Sequence, residues 1–279
     1  MREKEYFTRS INVNITAATI GINKEDWYCF KPGMKQQDVI KTMLNKKFDV
    51  VPIFNKQGTF NSYYTLNKLD NSKLDFNNIE PGDRLYYLTH IMDAVWRMNK
   101  SKKTHFFLSN GHDENDIVGL LSLSNYNSRE FYVYLFSIIS YIEREFAALI
   151  ESDKTKGFEI LEKMSNTEET KEQLKTIQGR YAEDEKNGNE NDYKEYLYLF
   201  QLKCLIIDEQ KFKELDYRNS QDFESGIGKL KDLRNNIAHP VKSIVRNLND
   251  LNNLEIGMNK LYELKERLDK HILIDTEIS

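Results

Sequence analysis

The sequence predicts an α+β N-terminal part followed by an all-helical C-terminal part. A pattern of one helix and two strands occurs twice before residue 127. From Asn127 onward, apolar residues recur every three or four positions, as on one face of a long helix. Because 279 residues exceed the usual domain size of ~100 to 200 residues, we expect two domains, 1–126 and 127–279.

The first copy of the N-terminal pattern begins with a helix. Four apolar residues at helical spacing predict it over Gln36 to Lys46. The β-favouring run Val50 to Phe54 predicts a strand, and a turn at Asn55 to Gly58 leads into a second strand ending at Thr65. A short helical stretch is expected after that strand.

The second copy has the same order of elements. A helix is predicted over His90 to Lys100, and a strand over Thr104 to Leu108. The polar loop Ser109 to Asn115 then precedes a strand over Asp116 to Ser122. This order predicts an internal repeat spanning roughly Lys31 to Tyr126.

The C-terminal part is predicted to contain only helices. The apolar stripe of its first helix is Phe131, Leu135, Ile138, Ile142, Phe146 and Leu149. Further helices are predicted over residues 156–181, 193–215, 220–237 and 251–274. The acidic, Asn-rich stretch from Ala182 to Asp192 is expected to be a solvated loop between two of them.

Composition excludes several classes of protein. No apolar run approaches the ~20 residues that span a bilayer, and the polar N-terminus lacks the pattern of a signal peptide, so we expect a cytoplasmic protein without membrane contact. Cys29 and Cys204 lack metal-site spacing, which predicts reduced core thiols and no metal. A net charge of -4 restricts any RNA contact to a local basic patch.

The most specific motif lies near the C-terminus and reads Leu233-Arg234-Asn235-Asn236-Ile237-Ala238-His239-Pro240. It follows a helix with the apolar stripe Phe223, Ile227, Leu230 and Ile237. The motif resembles the signature of the HEPN family, an Arg, a polar residue, a few positions and a His, near the end of a four- or five-helix domain. The resemblance covers about Asn127 to Ile274.

Membership of that family implies a metal-independent endoribonuclease with Arg234, Asn235 and His239 at its catalytic site. Five positions along a straight helix turn through about 140°, so Arg234 and His239 share a face only if the helix ends between them. Pro240 favours such an end, because the residue before a proline avoids the α region. Histidine suits proton transfer near neutral pH, and arginine binds phosphate oxygens bidentately.

The resemblance also implies partners. HEPN chains usually pair so that two Arg/His motifs line one cleft, which implies a homodimer acting on RNA. Four basic residues near the motif could form a cationic groove or could be ordinary solvated side chains, and the two roles are about equally frequent. These residues are Lys229, Lys231, Lys242 and Arg246. Glu143 is a candidate partner for Arg234 or His239, although a surface salt bridge is the commoner role for such a glutamate.

The duplicated N-terminal pattern resembles a tandem CBS pair, a Bateman-type module that binds adenosine-type nucleotides between its repeats. CBS repeats end with a small residue, two apolar residues and Thr or Ser, and Gly119-Leu120-Leu121-Ser122 fits that pattern. The resemblance implies Thr65, Lys68, Ser122 and Asn125 as ligand-binding residues. Lys68 and Asn125 replace the usual ribose-binding Asp, which leaves a phosphorylated nucleotide or a pair that only dimerises as alternatives.

A nucleotide-sensing pair fused to a HEPN domain implies a ligand-regulated ribonuclease of the kind found among prokaryotic toxins and antiviral effectors. Cleavage would need no cofactor, and an adenine-type or phosphorylated nucleotide would be the regulator. Two alternatives remain open at the level of sequence. One is a non-catalytic dimerisation and regulatory module. The other is a HEPN partner of a nucleotidyltransferase.

Overall fold

The computed structural model of the chain describes residues 15–55, 59–67, 69–111, 116–189, 191–238 and 243–278. The fold is mixed α+β, with strands in the N-terminal region and helices in the C-terminal region. The described residues form two compact units. The sheet unit comprises those within Val13–Tyr132 and Ser243–Glu255, and the helical unit comprises those within Val133–Lys242 and Ile256–Ser279.

The elements of the sheet unit, in chain order, are α1 (Ala17–Ile20), β1 (Ile22–Asn23), α2 (Gln36–Lys46), β2 (Val51–Phe54), β3 (Phe60–Leu66), β4 (Leu74–Asn78), β5 (Arg84–Tyr86), α3 (Ile91–Ser101), β6 (His105–Ser109) and β7 (Ile117–Ser122). One sheet has the order β1-β7-β6-β5, with only β5 and β6 parallel. The other is the antiparallel sheet β2-β3-β4.

The predicted repeat of helix, strand and strand is present. Helices α2 and α3 have 11 residues each and start 55 positions apart, at Gln36 and Ile91. Both end at a lysine in the left-handed conformation, Lys47 and Lys102, each with φ 56°. The following N–H in each copy bonds to a methionine carbonyl one turn back, which is the Schellman arrangement that closes a helix. Two segments of different sequence therefore reach the same local geometry.

The core of the sheet unit lies between the two sheets. The ring of Tyr63 on β3 lies 5.1 Å from Phe107 and 5.2 Å from His105, both on β6. The buried residues of this core are Val50, Phe60, Tyr63, Ile79, Phe107, Ile117 and Leu120. Pro52 is tolerated in β2 because that strand is at the edge of its sheet, where a missing N–H costs little.

One predicted element of the first copy is wrong. After Thr65 the chain forms a third strand, β4, which pairs with β3 from Ser62↔Asn78 to Leu66↔Leu74, where a short helix was expected. Asn67 explains the turn: its side-chain oxygen accepts the N–H groups of Leu69 and Asp70 and so reverses the chain. The sequence contains both the turn signal and a short alternation, with Leu74 and Phe76 apolar and Asp75 and Asn77 polar, which the prediction missed.

The helices that follow are α4 (Arg129–Leu149), α5 (Lys154–Met164), α6 (Glu168–Lys186), α7 (Leu199–Asp208), α8 (Ser220–Ala238) and α9 (Leu248–Ile278). The predicted stripes of α4 and α8 are buried apart from Leu149, which is half-buried. Phe223 lies at the centre of an aromatic cluster in the helical unit, with ring contacts to Phe146, Phe212 and Tyr217.

Three helix boundaries differ from the predicted ones. The single helix predicted over 156–181 is two, because Thr167 caps α6 and accepts the N–H of Thr170 at 3.2 Å. The helix predicted over 193–215 is shorter than expected, since α7 spans only Leu199–Asp208. Gln210, just beyond its end, has a left-handed φ of 59°. The stretch predicted as a loop from Ala182 is helical as far as Lys186.

We expect a methyl group at Gly119 to weaken the pairing of β1 with β7. A Cβ there would lie 2.7 Å from the Ile22 carbonyl oxygen, so the strands must separate. Gly119→Ala should lower the free energy of unfolding by about 1–3 kcal/mol. The matched control, Gly179→Ala in exposed helix α6, meets no atom within 4 Å and should raise it by about 0.5–1 kcal/mol. Urea titrations followed by circular dichroism measure both, and equal midpoints for the two variants would contradict the expectation.

A second prediction concerns pH and His105. Burial lowers the pKa of His105 to about 4 from its ordinary 6.5; to smaller extents the Asp83 charge raises this pKa and the Lys103 charge lowers it. Between pH 4 and 6.5 the unfolded chain binds this proton and the folded chain does not, so stability falls as pH drops through that window. The full loss is about 3 kcal/mol. His105→Phe keeps the ring packing, and its urea midpoint should change less between pH 7 and pH 4.5 than that of the wild type; parallel changes would refute this account.

Candidate functional site

Arg234 lies in the last described turn of α8, with its side chain about 29% exposed. The structure describes α8 as far as Ala238, so His239 and Pro240 lie outside the described residues. The predicted helix end between Arg234 and His239 therefore stays a prediction. What the structure does describe is the set of groups that hold Arg234.

Two contacts fix the guanidinium of Arg234. Its Nε lies 3.7 Å from Oε1 of Glu143 on α4. Its Cζ lies 5.0 Å from the centre of the Tyr198 ring, at the start of α7. The first contact is an ion pair and the second a cation–π contact, and together they restrict both the edge and the face of the planar group.

Glu143 connects three helices. Besides pairing with Arg234 of α8, its Oε1 accepts the backbone N–H of Leu199, the first residue of α7, at 3.1 Å. Burial raises the pKa of Glu143, while the Arg234 charge and the Leu199 N–H both favour its ionised form. Glu143 does form a salt bridge, its partner is Arg234, and its side chain is 23% exposed.

Tyr198 was missed by sequence reasoning. It belongs to the run Tyr196-Leu197-Tyr198-Leu199-Phe200, which was interpreted as the apolar part of a helix. In the structure Tyr198 precedes α7, is 37% exposed, and its hydroxyl accepts a hydrogen bond from Nη1 of Arg180 at 3.2 Å. The ring is thus held at its hydroxyl end and presents its face to Arg234.

Asn235 is exposed on the next position of α8, and no hydrogen bond of its side chain is seen among the described residues. Of the charges that were candidates for a cationic groove, Lys231 is exposed and lies 5.8 Å from the Phe200 ring. Arg246 belongs to the sheet unit and pairs with Asp250 at 3.1 Å. The side chains of Lys229 and Lys242 lie outside the described part of the chain.

The predicted ligand residues of the sheet unit are engaged in local structure. The Asn125 side-chain oxygen accepts the Ser122 N–H at 2.7 Å and the Ser122 hydroxyl at 2.9 Å, which closes a short 3₁₀ turn after β7. Thr65 on β3 accepts a hydrogen bond from the Asn77 amide at 3.2 Å. Lys68 lies outside the described residues. The structure brings Ser122 and Asn125 together in a strand-end cap.

Within the described ranges, no group of three or more His, Cys, Asp or Glu side chains is placed to hold a metal ion. Across the same ranges, no helix combines the length and apolarity needed to cross a bilayer. Cys204 is buried and Cys29 half-buried, and neither is in a disulfide. No protein-family model matches the sequence, and a search of curated proteins finds no match.

We expect the Glu143–Arg234 pair to contribute measurably to stability. A double-mutant cycle with Glu143→Gln and Arg234→Gln should give a coupling energy of about 1 kcal/mol, since both side chains are more buried than in a typical surface pair. The exposed pair Arg218–Asp222, with a 3.2 Å separation, is the control and should couple more weakly. Urea unfolding measures both cycles, and a Glu143–Arg234 coupling no larger than the control would exclude this role.

Proposed function

We propose that this chain is a metal-independent endoribonuclease of the HEPN type, with Arg234 and His239 as its catalytic residues. The observation that carries the proposal is how Arg234 is held. Glu143 lies against its Nε and Tyr198 against its face, and no partner of the terminal Nη groups is seen among the described residues. A guanidinium anchored in this way keeps two nitrogens for the oxygens of a phosphate.

The reaction uses the nucleophile that RNA carries. The 2′-hydroxyl attacks the neighbouring phosphorus, the bond from phosphorus to the 5′-oxygen breaks, and the products are a 2′,3′-cyclic phosphate and a 5′-hydroxyl. His239 takes the proton of the 2′-hydroxyl and supplies one to the departing 5′-oxygen. Arg234 binds the phosphate oxygens as negative charge accumulates on them. Asn235 orients the imidazole or a phosphate oxygen.

Pairing and regulation belong to the same proposal. Two chains would form a homodimer with both Arg/His motifs in one cleft, and a nucleotide bound to the sheet unit would control access to it. The repeated helix, strand and strand of that unit supports a CBS-type pair. The cellular role would be that of a toxin or antiviral effector acting in the cytoplasm.

The test is RNA cleavage by the purified full-length chain in EDTA, with adenine-type and phosphorylated nucleotides added in turn. We expect cleavage with a 2′,3′-cyclic phosphate product, and a loss of about 100-fold or more in His239→Ala and Arg234→Ala. Arg218→Ala, an exposed arginine of the same unit, is the matched control and should cleave as the wild type does. An RNA with 2′-O-methyl at every position should stay intact.

Each contrary outcome has a defined meaning. Cleavage that persists in both variants would locate the activity elsewhere or in a contaminant. An absence of cleavage with every nucleotide would favour a non-catalytic regulatory module. Covalent modification of the motif by a nucleotidyltransferase, detected as a mass increase on the intact chain, would favour the third role.

A further inference from the structure

A cavity of about 640 Å³ opens in the sheet unit, away from the predicted ligand residues. It is lined at the start of β3 by Phe60 and at the start of β7 by Ile117. Thr65 and Ser122 are five residues further along the same strands, a distance of about 17 Å at 3.4 Å per residue. The volume lies within the range of about 300–1,000 Å³ that is usual for small-molecule sites.

Three aromatic rings form the apolar wall of this cavity. The Trp27 and Phe60 rings are 5.0 Å apart in an edge-to-face contact, and the Phe54 and Phe60 rings are 5.3 Å apart. Phe60 is 7% exposed and belongs to the core between the sheets. The wall is therefore held in place by the core, and it suits an aromatic body.

Four charged side chains line the same cavity, two of each sign. Lys24 and Asp116 pair with each other at 3.4 Å, and Asp116 also accepts a hydrogen bond from the Asn110 amide. The other two, Glu25 and Lys31, have no ion-pair partner among the described residues. Among the described residues, the cavity thus offers one carboxylate and one ammonium without a counter-charge.

The wall also contains an unpaired polar group. The indole N–H of Trp27 is enclosed and has no hydrogen-bond partner within the described part of the chain. Buried donors without an acceptor are rare in native proteins and cost stability.

We propose that this cavity binds a small aromatic zwitterion, an aromatic amino acid or a close derivative. The aromatic body packs against Trp27, Phe54 and Phe60. Lys31 binds the carboxylate and Glu25 binds the ammonium group, so that two charges without an ion-pair partner among the described residues each gain one. A purely anionic ligand would face the Glu25 carboxylate, and a purely cationic ligand would face the Lys31 ammonium. The proposal concerns binding by the sheet unit and does not rest on ribonuclease activity.

Fluorescence of Trp27 provides the first measurement. The chain has two tryptophans, so full-length Trp96→Phe leaves Trp27 as the single reporter, excited where phenylalanine does not absorb. The probes are L-phenylalanine, 3-phenylpropionate, which lacks the amine, and phenethylamine, which lacks the carboxylate. We expect L-phenylalanine to bind about threefold to fivefold more tightly than either analogue, the range of an exposed charge pair.

Two charge variants should change this preference in opposite ways. Lys31→Met should weaken L-phenylalanine and 3-phenylpropionate and leave phenethylamine unchanged. Glu25→Gln should weaken L-phenylalanine and phenethylamine and leave 3-phenylpropionate no weaker. Lys41→Met, an exposed lysine of α2 outside the cavity, is the matched control and should bind all three as the parent does.

Cys29 provides a second measurement that does not depend on fluorescence. It lines the cavity and is half-buried, whereas Cys204 is buried with its thiol pKa raised to about 11. Bound L-phenylalanine should slow the alkylation of Cys29 by iodoacetamide, measured by mass spectrometry. Equal binding of the three probes, charge variants indistinguishable from Lys41→Met, or unprotected Cys29 at saturating L-phenylalanine would each overturn the proposal.

Discussion

The helical unit depends on a half-buried carboxylate, that of Glu143, which must be partnered. Removing a carboxylate from water costs free energy, and in the folded protein an opposite charge and hydrogen bonds must offset that cost. Glu143 on α4 obtains both, from Arg234 on α8 and from the first N–H of α7. Three helices therefore meet at one side chain, and the position of Arg234 follows from how that side chain is satisfied.

This arrangement also explains why the residue at 234 is an arginine. A lysine ammonium is a point charge, and it could satisfy Glu143 but would then offer little to a second anion. The planar guanidinium contacts Glu143 through Nε and the Tyr198 ring through its face, and its terminal nitrogens lie at the other end of the group. In the proposed reaction, Nε and the ring-facing side of the Arg234 guanidinium contact the protein, and its terminal nitrogens bind the phosphate.

The sequence predicted the elements that have strong local signals. The helix over Gln36 to Lys46 has the predicted bounds, because its apolar spacing and its polar flanks agree. The strand β4 was missed because its apolar alternation covers only the four residues from Leu74 to Asn77 and its stability comes from pairing with β3. The break before α6 was missed because the capping box of Thr167 and Thr170 lies within an otherwise helical composition.

The same difference between local and long-range signals applies to the candidate sites. Arg234 and Asn235 were predicted from a motif that is contiguous in sequence, and so were Ser122 and Asn125, whose contacts with each other are local. Tyr198 and the cavity around Trp27 were not found, because their members come from separate segments that only the fold brings together. Contacts between distant segments leave no periodicity or spacing in the sequence, so a single sequence carries no signal for them.

The two proposed sites hold their charges in different ways, and this difference bears on how each would respond to a ligand. Arg234 is fixed by a half-buried partner before any phosphate arrives, so its electrostatic contribution needs little reorganisation. Lys31 and Glu25 are exposed and have no ion-pair partner among the described residues, so a ligand must order both side chains and offset the entropy that they lose. Binding at the cavity should therefore be weak for each charge taken alone and selective only for a molecule that engages both. A site of that kind discriminates by the combination of groups on its ligand, which is the property that a sensing unit requires.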